Sequence, residues 1–593
     1  MIKVKNIFLL IILGLFFAYN AYSLDRVKIW VDGEILTHTD LNAEFDNVVD
    51  AVPVVYQPDY LAVDQGATGN SNTTKYCVDT IGTTNKATIY YRHNSGLEYT
   101  DYTFLTSDDY TANTNIKFVF ENGARLAVGN GITVTINGPF EVGLAQAFVC
   151  TGTGKVVFGT GSVKEVYPEW WGVDGTADEV QIQKANDAIV DSGSPGMLSL
   201  SSKTYTMAAG VTINVGYVSI KGNRAVLNFS AIGDVPAITL KGGNPVGTSP
   251  YNQADAQLSG FKIIGPTNAA ATGLYFNQED GGSYMGPAHL SLRNINIVSF
   301  KHGVRIGEHS YLITFDGSDI RNCAIGLYHP LTTIGSAAIV DSGENIRFNN
   351  GAIYQNVIGF QNDSGSADFS FNGTSFDHNT SIAANVVYGQ AAFTDCHFET
   401  FLQALVIGNN TFVTCAGNYF NSLTDTQDAF IENNGYLTLI GGRIYAPDNN
   451  TNVITSTQRI FLAGTHMQSG SASPTSLSGL YHIHFANTSL ITTNYSITPP
   501  LVRASVFQGT NTVTPAVVDT WVALGVGYVQ GLFVFRDNTS GGVAVFAIDS
   551  SLGATSISNT ITGFELQYNA GDVEARVTSG AVPRDITFAV MAM

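Results

Sequence analysis

The chain has 593 residues, of which 44% are hydrophobic and only 13% charged, with 61 glycines and a formal net charge of −20. An acidic chain without a basic cluster excludes nucleic acid as a partner, and it disfavours an anionic membrane surface or a highly anionic glycan that no cation bridges. Length and glycine content fit a large β protein of several domains.

Residues 1–23 carry Lys3 and Lys5, an apolar run from Ile7 to Tyr19 and the small-x-small sequence Ala21-Tyr22-Ser23. That is the pattern of a cleaved signal peptide, so the mature chain is expected outside the cell, secreted or at the surface. The apolar run is shorter than the ~20 residues of a membrane span. An uncleaved anchor is the alternative, and no other segment reads as a membrane span. The five cysteines are odd in number and widely spaced, which speaks against a disulfide framework even in an exported chain. Cys396 reads as a buried structural thiol.

In residues 24–56, Leu41, Phe45, Val48 and Val52 lie at helical spacing within GEILTHTDLNAEFDNVVDAV. One such stripe is too short to be stable alone, so it packs against copies of itself or docks on its own chain. Residues 57–165 read as an N-terminal β domain, because Thr74 to Lys164 alternate apolar and polar positions between Gly/Asn turns. Trp170 and Trp171 follow; adjacent tryptophans at a junction serve packing more often than sugar stacking.

A helix is expected next. Thr176-x-x-Glu179 has the form of a capping box, Ile182, Ala185 and Ile189 make one apolar face, and Gly193 stops the helix. Downstream, Ser375-Phe376-Asp377, His397-Phe398-Glu399 and Tyr419-Phe420-Asn421 recur every 22 residues, with looser copies at Arg443-Ile444-Tyr445 and His466-Met467-Gln468. A period in the low twenties, built of short β-rich runs and Gly/Asn/Ser/Thr turns, marks a β-solenoid over residues 166–505. Phe376, Phe398, Phe420, Ile444 and Met467 then form an inward ladder, and the residues beside each point to solvent. From about Gln508 the period gives way to alternating strands, which read as an antiparallel β-sandwich over residues 506–593.

The segment from Tyr167 to Met207 resembles the opening of right-handed parallel β-helix proteins, the family of phage tailspikes and pectate-lyase-like proteins. It shares with the usual motif Asp174, Gly175, Asp178, Ile182, Gln183, Ala185 and Tyr205, and departs from it at Val173, Glu179, Gln181 and Thr204. The stretch from Gly33 to Asp46 is similar to an N-terminal segment common in phage tail fibres. The resemblance implies an all-β right-handed parallel β-helix, assembly as a homotrimer, a C-terminal sandwich that serves trimerisation or glycan binding, and a polysaccharide as partner. An export signal is unexpected for a virion protein, so a bacterial surface protein and a phage virion tail both stand.

Two outward columns carry the candidate chemistry. One reads Ser375, His397, Tyr419, Arg443, His466, and its neighbour Asp377, Glu399, Asn421, Tyr445, Gln468. Coils stack ~4.8 Å apart, so Asp377 and Glu399 are expected as neighbours whose repulsion raises one pKa. A pair ~5–5.5 Å apart suits retaining glycoside hydrolysis, one carboxyl as acid and one as nucleophile. His397 assists proton transfer, and Tyr419, Arg443 and Tyr445 hold sugar rings and hydroxyls. The plainer reading is that solvent-facing columns are polar by necessity. An alternative acidic cluster comprises Glu308, Asp316, Asp319 and Glu344, with Asp363 and Asp368 as weaker candidates. His482 and His484 lack a third ligand at useful spacing, so no metal is expected, and no phosphate loop, nucleophile elbow or zinc-binding cysteine set implies a cofactor. Two functions remain open: a polysaccharide depolymerase, hydrolase or lyase, and a non-catalytic glycan-binding adhesin or structural tail-fibre-like protein.

Overall fold

The computed structural model describes residues 54–64, 72–242, 256–266, 271–277, 286–339, 342–365, 367–400, 402–423 and 430–446, and shorter segments up to 592, with backbone strands alone beyond His466. The expected signal peptide, the Leu41/Phe45/Val48/Val52 stripe and His482 and His484 lie outside the described residues. Among the described residues no helix is long and apolar enough to cross a membrane. The chain divides into two compact units, the first comprising residues up to Lys164 with Glu169–Gly172, the second the remainder.

In the first unit, strands Ala87–Tyr91, Ile116–Phe120 and Phe140–Glu141 pair in parallel along one side. Thr100–Phe104, Ala124–Val128 and Phe148–Cys150 do so along a second, and Asp108–Tyr110, Thr133–Ile136 and Lys155–Phe158 along a third. Each turn of the chain thus revisits three sides. The expected β layer is itself a short parallel coil, with Ile89, Phe118, Tyr102, Leu126, Phe148, Ile136 and Phe158 inside. Trp170 and Trp171 are 4% and 6% exposed and pack on Phe140 and Phe148 at ring distances of 5.1 Å each, so they serve the core.

Helix α1, Thr74–Ile81, belongs to this unit; Thr73 caps it by accepting from Tyr76 N, and the Asp64 carboxylate accepts from Thr74 N and Lys75 N. Nearby, Asp108 is 7% exposed and its Oδ2 is buried without a hydrogen-bond partner. Burial, followed by the charge of Asp64, pushes the Asp108 carboxyl up to about 6. A carboxyl whose folded-state pKa is raised binds more protons folded than unfolded, so its contribution favours folding as pH falls and is lost as pH rises from the ordinary Asp range through 6. Asp108→Asn is therefore expected to raise the melting temperature at pH 7.5 and to change it little at pH 4, as read by calorimetry.

The second unit opens on helix α2, Glu179–Val190, whose Ile182, Ala185 and Ile189 are buried as expected. The capping box is not what holds its start. The N-cap is Asp178, fully buried, whose carboxylate accepts from Asp174 N and Gly175 N through one oxygen and from Thr206 N through the other. Glu179 reaches Ala208 N, Gln183 exchanges two hydrogen bonds with the backbone of Thr212, and Asn186 accepts from Asn214 N. These side chains turn outward from the helix to satisfy strand groups that a solenoid end would leave unpaired, and this tertiary demand overrides the local cap.

The coils that follow carry three faces. The A face runs through Ile346–Asn349, Asp368–Asn372, Gln390–Thr394, Phe412–Ala416 and Tyr436–Ile440. The B face includes Ala352–Tyr354, Ser375–Asp377, His397–Thr400, Tyr419–Ser422, Arg443–Ala446 and His466–Ser469. The C face is a 12-stranded parallel sheet that includes Ile358–Asn362, Ile382–Val386 and Gln403–Ile407, while the A and B strands join in one of 21 strands. The fold is a parallel β-helix. The bend from A to B carries a residue with positive φ in each coil, Asn350, Gly373, Asp395, Gly417, Gly441 (followed by Gly442) and Gly464 in succession. Only Gly, Asn and Asp stand there, the residues that tolerate the left-handed region. This fixed corner keeps the coils in register.

The inward ladder holds from Phe376 to Ile444, and the Met467 side chain lies outside the described residues. Phe376, Phe398, Phe420 and Ile444 are at most 2% exposed; the rings of Phe376 and Phe398 stack at 4.9 Å, those of Phe398 and Phe420 at 4.6 Å. None of the five cysteines is in a disulfide; Cys396 is buried at the A–B corner, its thiol pushed up to about 12 by burial, in keeping with a structural role. Beyond 506 the strands pair antiparallel, in one sheet of five and one of three.

Candidate functional site

The B-face register is the one the repeat implies: Ser375 opposite His397, His397 opposite Tyr419, Tyr419 opposite Arg443, and Asp377, Glu399, Asn421 and Tyr445 likewise in line. Because strand residues alternate sides, the phenylalanines that bury the middle of each strand force these flanking residues outward. Packing of the core thereby fixes the positions of the candidate residues.

Their side chains engage one another across the coils. His397 Nδ1 lies 2.9 Å from Asp377 Oδ1, and the Ser375 hydroxyl donates to Asp377 Oδ2. Glu399 accepts at 3.2 Å from Asn421 Nδ2. The His397 ring stacks on Tyr419 at 5.1 Å with 2° between planes. The guanidinium of Arg443 stands 5.9 Å from the Tyr419 ring and 5.8 Å from that of Tyr445. Asp377, His397 and Glu399 offer ligand atoms all within 4.8 Å of one another, the only such triple among the described residues and the place where a metal ion would be held if one bound. Spacing in sequence did not mark these three as a ligand set, since Asp377 comes from the coil before the one that carries His397 and Glu399.

The expected pair of like-placed carboxylates is thus present, with a difference in role. Asp377 is committed on both oxygens, to His397 and to Ser375, whereas Glu399 has one oxygen on Asn421. Ser375, read in the sequence only as a member of the outward column, supports Asp377. One residue escaped notice in the sequence: Tyr354, which follows from the register Ala352 to Ser375, stands in the Asp377 column one coil earlier. The shared position of Tyr354 and Tyr445 in their strands is the signal that could have found it.

The alternative acidic residues do not form one cluster. Asp316 ends the A-face strand Ile313–Asp316, and Asp319 begins the B-face strand Asp319–Arg321, where burial raises its carboxyl. Glu344 lies by Leu312 at the other end of that A-face strand, and Glu308 beyond the C-face strand His302–Ile306 is near His309, at 3.8 Å. Asp363 accepts from Tyr328 and Gln361, and Asp368 from Asn345 N, so both are tied to local structure.

No protein-family model and no curated protein matches the chain. Solved structures do. Tailspike protein 4 of bacteriophage CBA120, an enzymatically active domain, aligns over 72% of this chain and 66% of its own length, with 14% identity and a TM-score of 0.39. The gp42 tailspike of Acinetobacter phage vb_AbaP_AS12 aligns over 74% and 84%, with 11% identity and a TM-score of 0.39. The A-module of the Azotobacter vinelandii mannuronan C-5 epimerase AlgE4 aligns over 57% and 99%, with 12% identity and a TM-score of 0.34. The chain is similar to phage tailspikes and other β-helix proteins of the pectate-lyase kind, a likeness of fold.

Proposed function

We propose that this protein binds a cell-surface or extracellular polysaccharide along the B face and depolymerises it there. One observation supports this above the others: on a solvent-facing surface where no core packing requires it, His397 is bonded to Asp377 of the coil before and stacked on Tyr419 of the coil after, with Glu399 beside it. A polar column that served solubility alone would scatter its charges rather than join an imidazole to a carboxylate beside a second carboxylate. Asp377, His397 and Glu399 are the proton-transfer group, and Tyr419, Arg443 and Tyr445 the sugar-holding group. The expected signal peptide and the apolar stripe between Leu41 and Val52 support an extracellular homotrimer, or a virion tail protein, whose C-terminal strands form a sandwich.

The purified protein incubated with a panel of bacterial capsular and exopolysaccharides is expected to release new reducing ends from at least one. Unsaturated products would mark a lyase. Binding of a panel member without cleavage would establish the non-catalytic adhesin instead, and neither binding nor cleavage would overturn the proposal.

A further inference from the structure

We infer that Asp377 is a positioning residue rather than a nucleophile, and that it sets the tautomer of His397 so that Nε2 exchanges protons with substrate beside Glu399. The inference deepens the depolymerase reading and rests on it for its catalytic part. Both oxygens of Asp377 are engaged by neighbours on its own sheet, which holds the carboxylate toward His397 rather than toward a ligand: Oδ1 lies 2.9 Å from His397 Nδ1, and Oδ2 accepts from the Ser375 hydroxyl. An ionised carboxylate only accepts, so the proton between Asp377 and His397 resides on Nδ1. In the neutral imidazole the lone pair is then on Nε2.

The ring has little freedom to turn. Its face lies against Tyr419 with 2° between planes, its Nδ1 edge is held by Asp377, and Ser375 from the same strand as Asp377 holds that carboxylate in turn. The His397 side chain retains 39% of its surface exposure, enough to meet a ligand lying along the face. Glu399 directly follows Asp377 in the outward column, with ligand-capable atoms of all three residues within 4.8 Å. His397 and Glu399 are therefore the catalytic pair, on the same side of the sheet, with one Glu399 oxygen held by Asn421.

Asp377→Asn tests this with its shape nearly unchanged. The Ser375 hydroxyl retains the amide oxygen as acceptor, which leaves the amide NH₂ to face His397. An amide donor there forces Nδ1 to accept and moves the ring proton to Nε2, the wrong tautomer for a base at that atom. Nitrogen-15 NMR of histidine-labelled protein, with His397 assigned by its loss in His397→Ala, is expected to show an Nδ1–H ring in the wild type and an Nε2–H ring in Asp377→Asn. On a polysaccharide that the wild type cleaves, kcat should fall ~10²–10⁴-fold, the usual size of a proton-transfer contribution, while KM stays within about twofold. Adding Asp377→Asn to His397→Ala should cost nothing further. An Nε2–H ring in the wild type, or wild-type kcat in Asp377→Asn, overturns the assignment. The spectra need no substrate, so if no polysaccharide is cleaved the depolymerase reading fails while the tautomer still decides whether Asp377 positions His397.

Discussion

Glu399→Gln is expected to remove most turnover on the cleaved polysaccharide, by ~10²–10⁴-fold, while the melting temperature stays within about 2 °C of wild type. Glutamine keeps the shape of the side chain and can still bond Asn421, which engages Glu399 Oε1 at 3.2 Å. What it loses is the ability to give or take a proton. The residue is outward-facing, so little packing energy depends on it, and a loss of activity without a loss of stability separates a chemical role from a structural one. Glu344→Gln, at the A-face corner beside Leu312, should keep wild-type turnover. If Glu399→Gln cleaves normally and Glu344→Gln does not, the chemistry lies on a different face.

The largest stability effect is expected inside the coil. Phe398 is fully buried, with its ring 4.9 Å from Phe376, 4.6 Å from Phe420 and 5.4 Å from Phe393. Phe398→Ala should cost about 3–5 kcal/mol in urea unfolding, through lost transfer energy and the cavity left between rings above and below. By contrast Phe412, 53% exposed and stacked on Tyr436, should cost less than about 1 kcal/mol when cut to Ala. Equal losses at the two positions would mean that the ladder is not the core. The Phe398 variant also bears on function, because the same strand carries His397 and Glu399 at its flanks and a collapsed stack would displace both.

The B face was legible because its repeat is regular: a 22-residue spacing with a phenylalanine at the centre states both the inward ladder and the outward columns. Where spacing drifts, legibility drops. The first unit moves from 24 residues between Tyr102 and Leu126 to 22 between Leu126 and Phe148, so its strands read as a β layer and their parallel order stayed hidden. The helix α2 cap was misread for another reason. Thr176-x-x-Glu179 satisfies the local pattern, but Asp178 and Glu179 are drawn to Thr206 and Ala208, partners that no local window contains. The same holds in the site: adjacency of Asp377 and Glu399 follows from the period, whereas the bond from Asp377 to His397, which changes the role of Asp377, depends on rotamers that the period does not fix. The acidic residues Glu308, Asp316, Asp319 and Glu344 cluster in sequence, yet the coil parts them, with Asp316 and Asp319 at the A–B corner and Glu308 and Glu344 between C-face and A-face strands.

The measurement that bears most directly on the B face as a polysaccharide-processing surface is a crystal structure of Glu399→Gln with an oligosaccharide from the cleaved or bound panel member. The expected result is a sugar chain across the B face, with a glycosidic oxygen within hydrogen-bond reach of residue 399 and His397 Nε2, and rings against Tyr419 or Tyr445. A sugar chain held elsewhere, at the Phe412 and Tyr436 stack of the A face or near Glu308, with the B face bare, would contradict it.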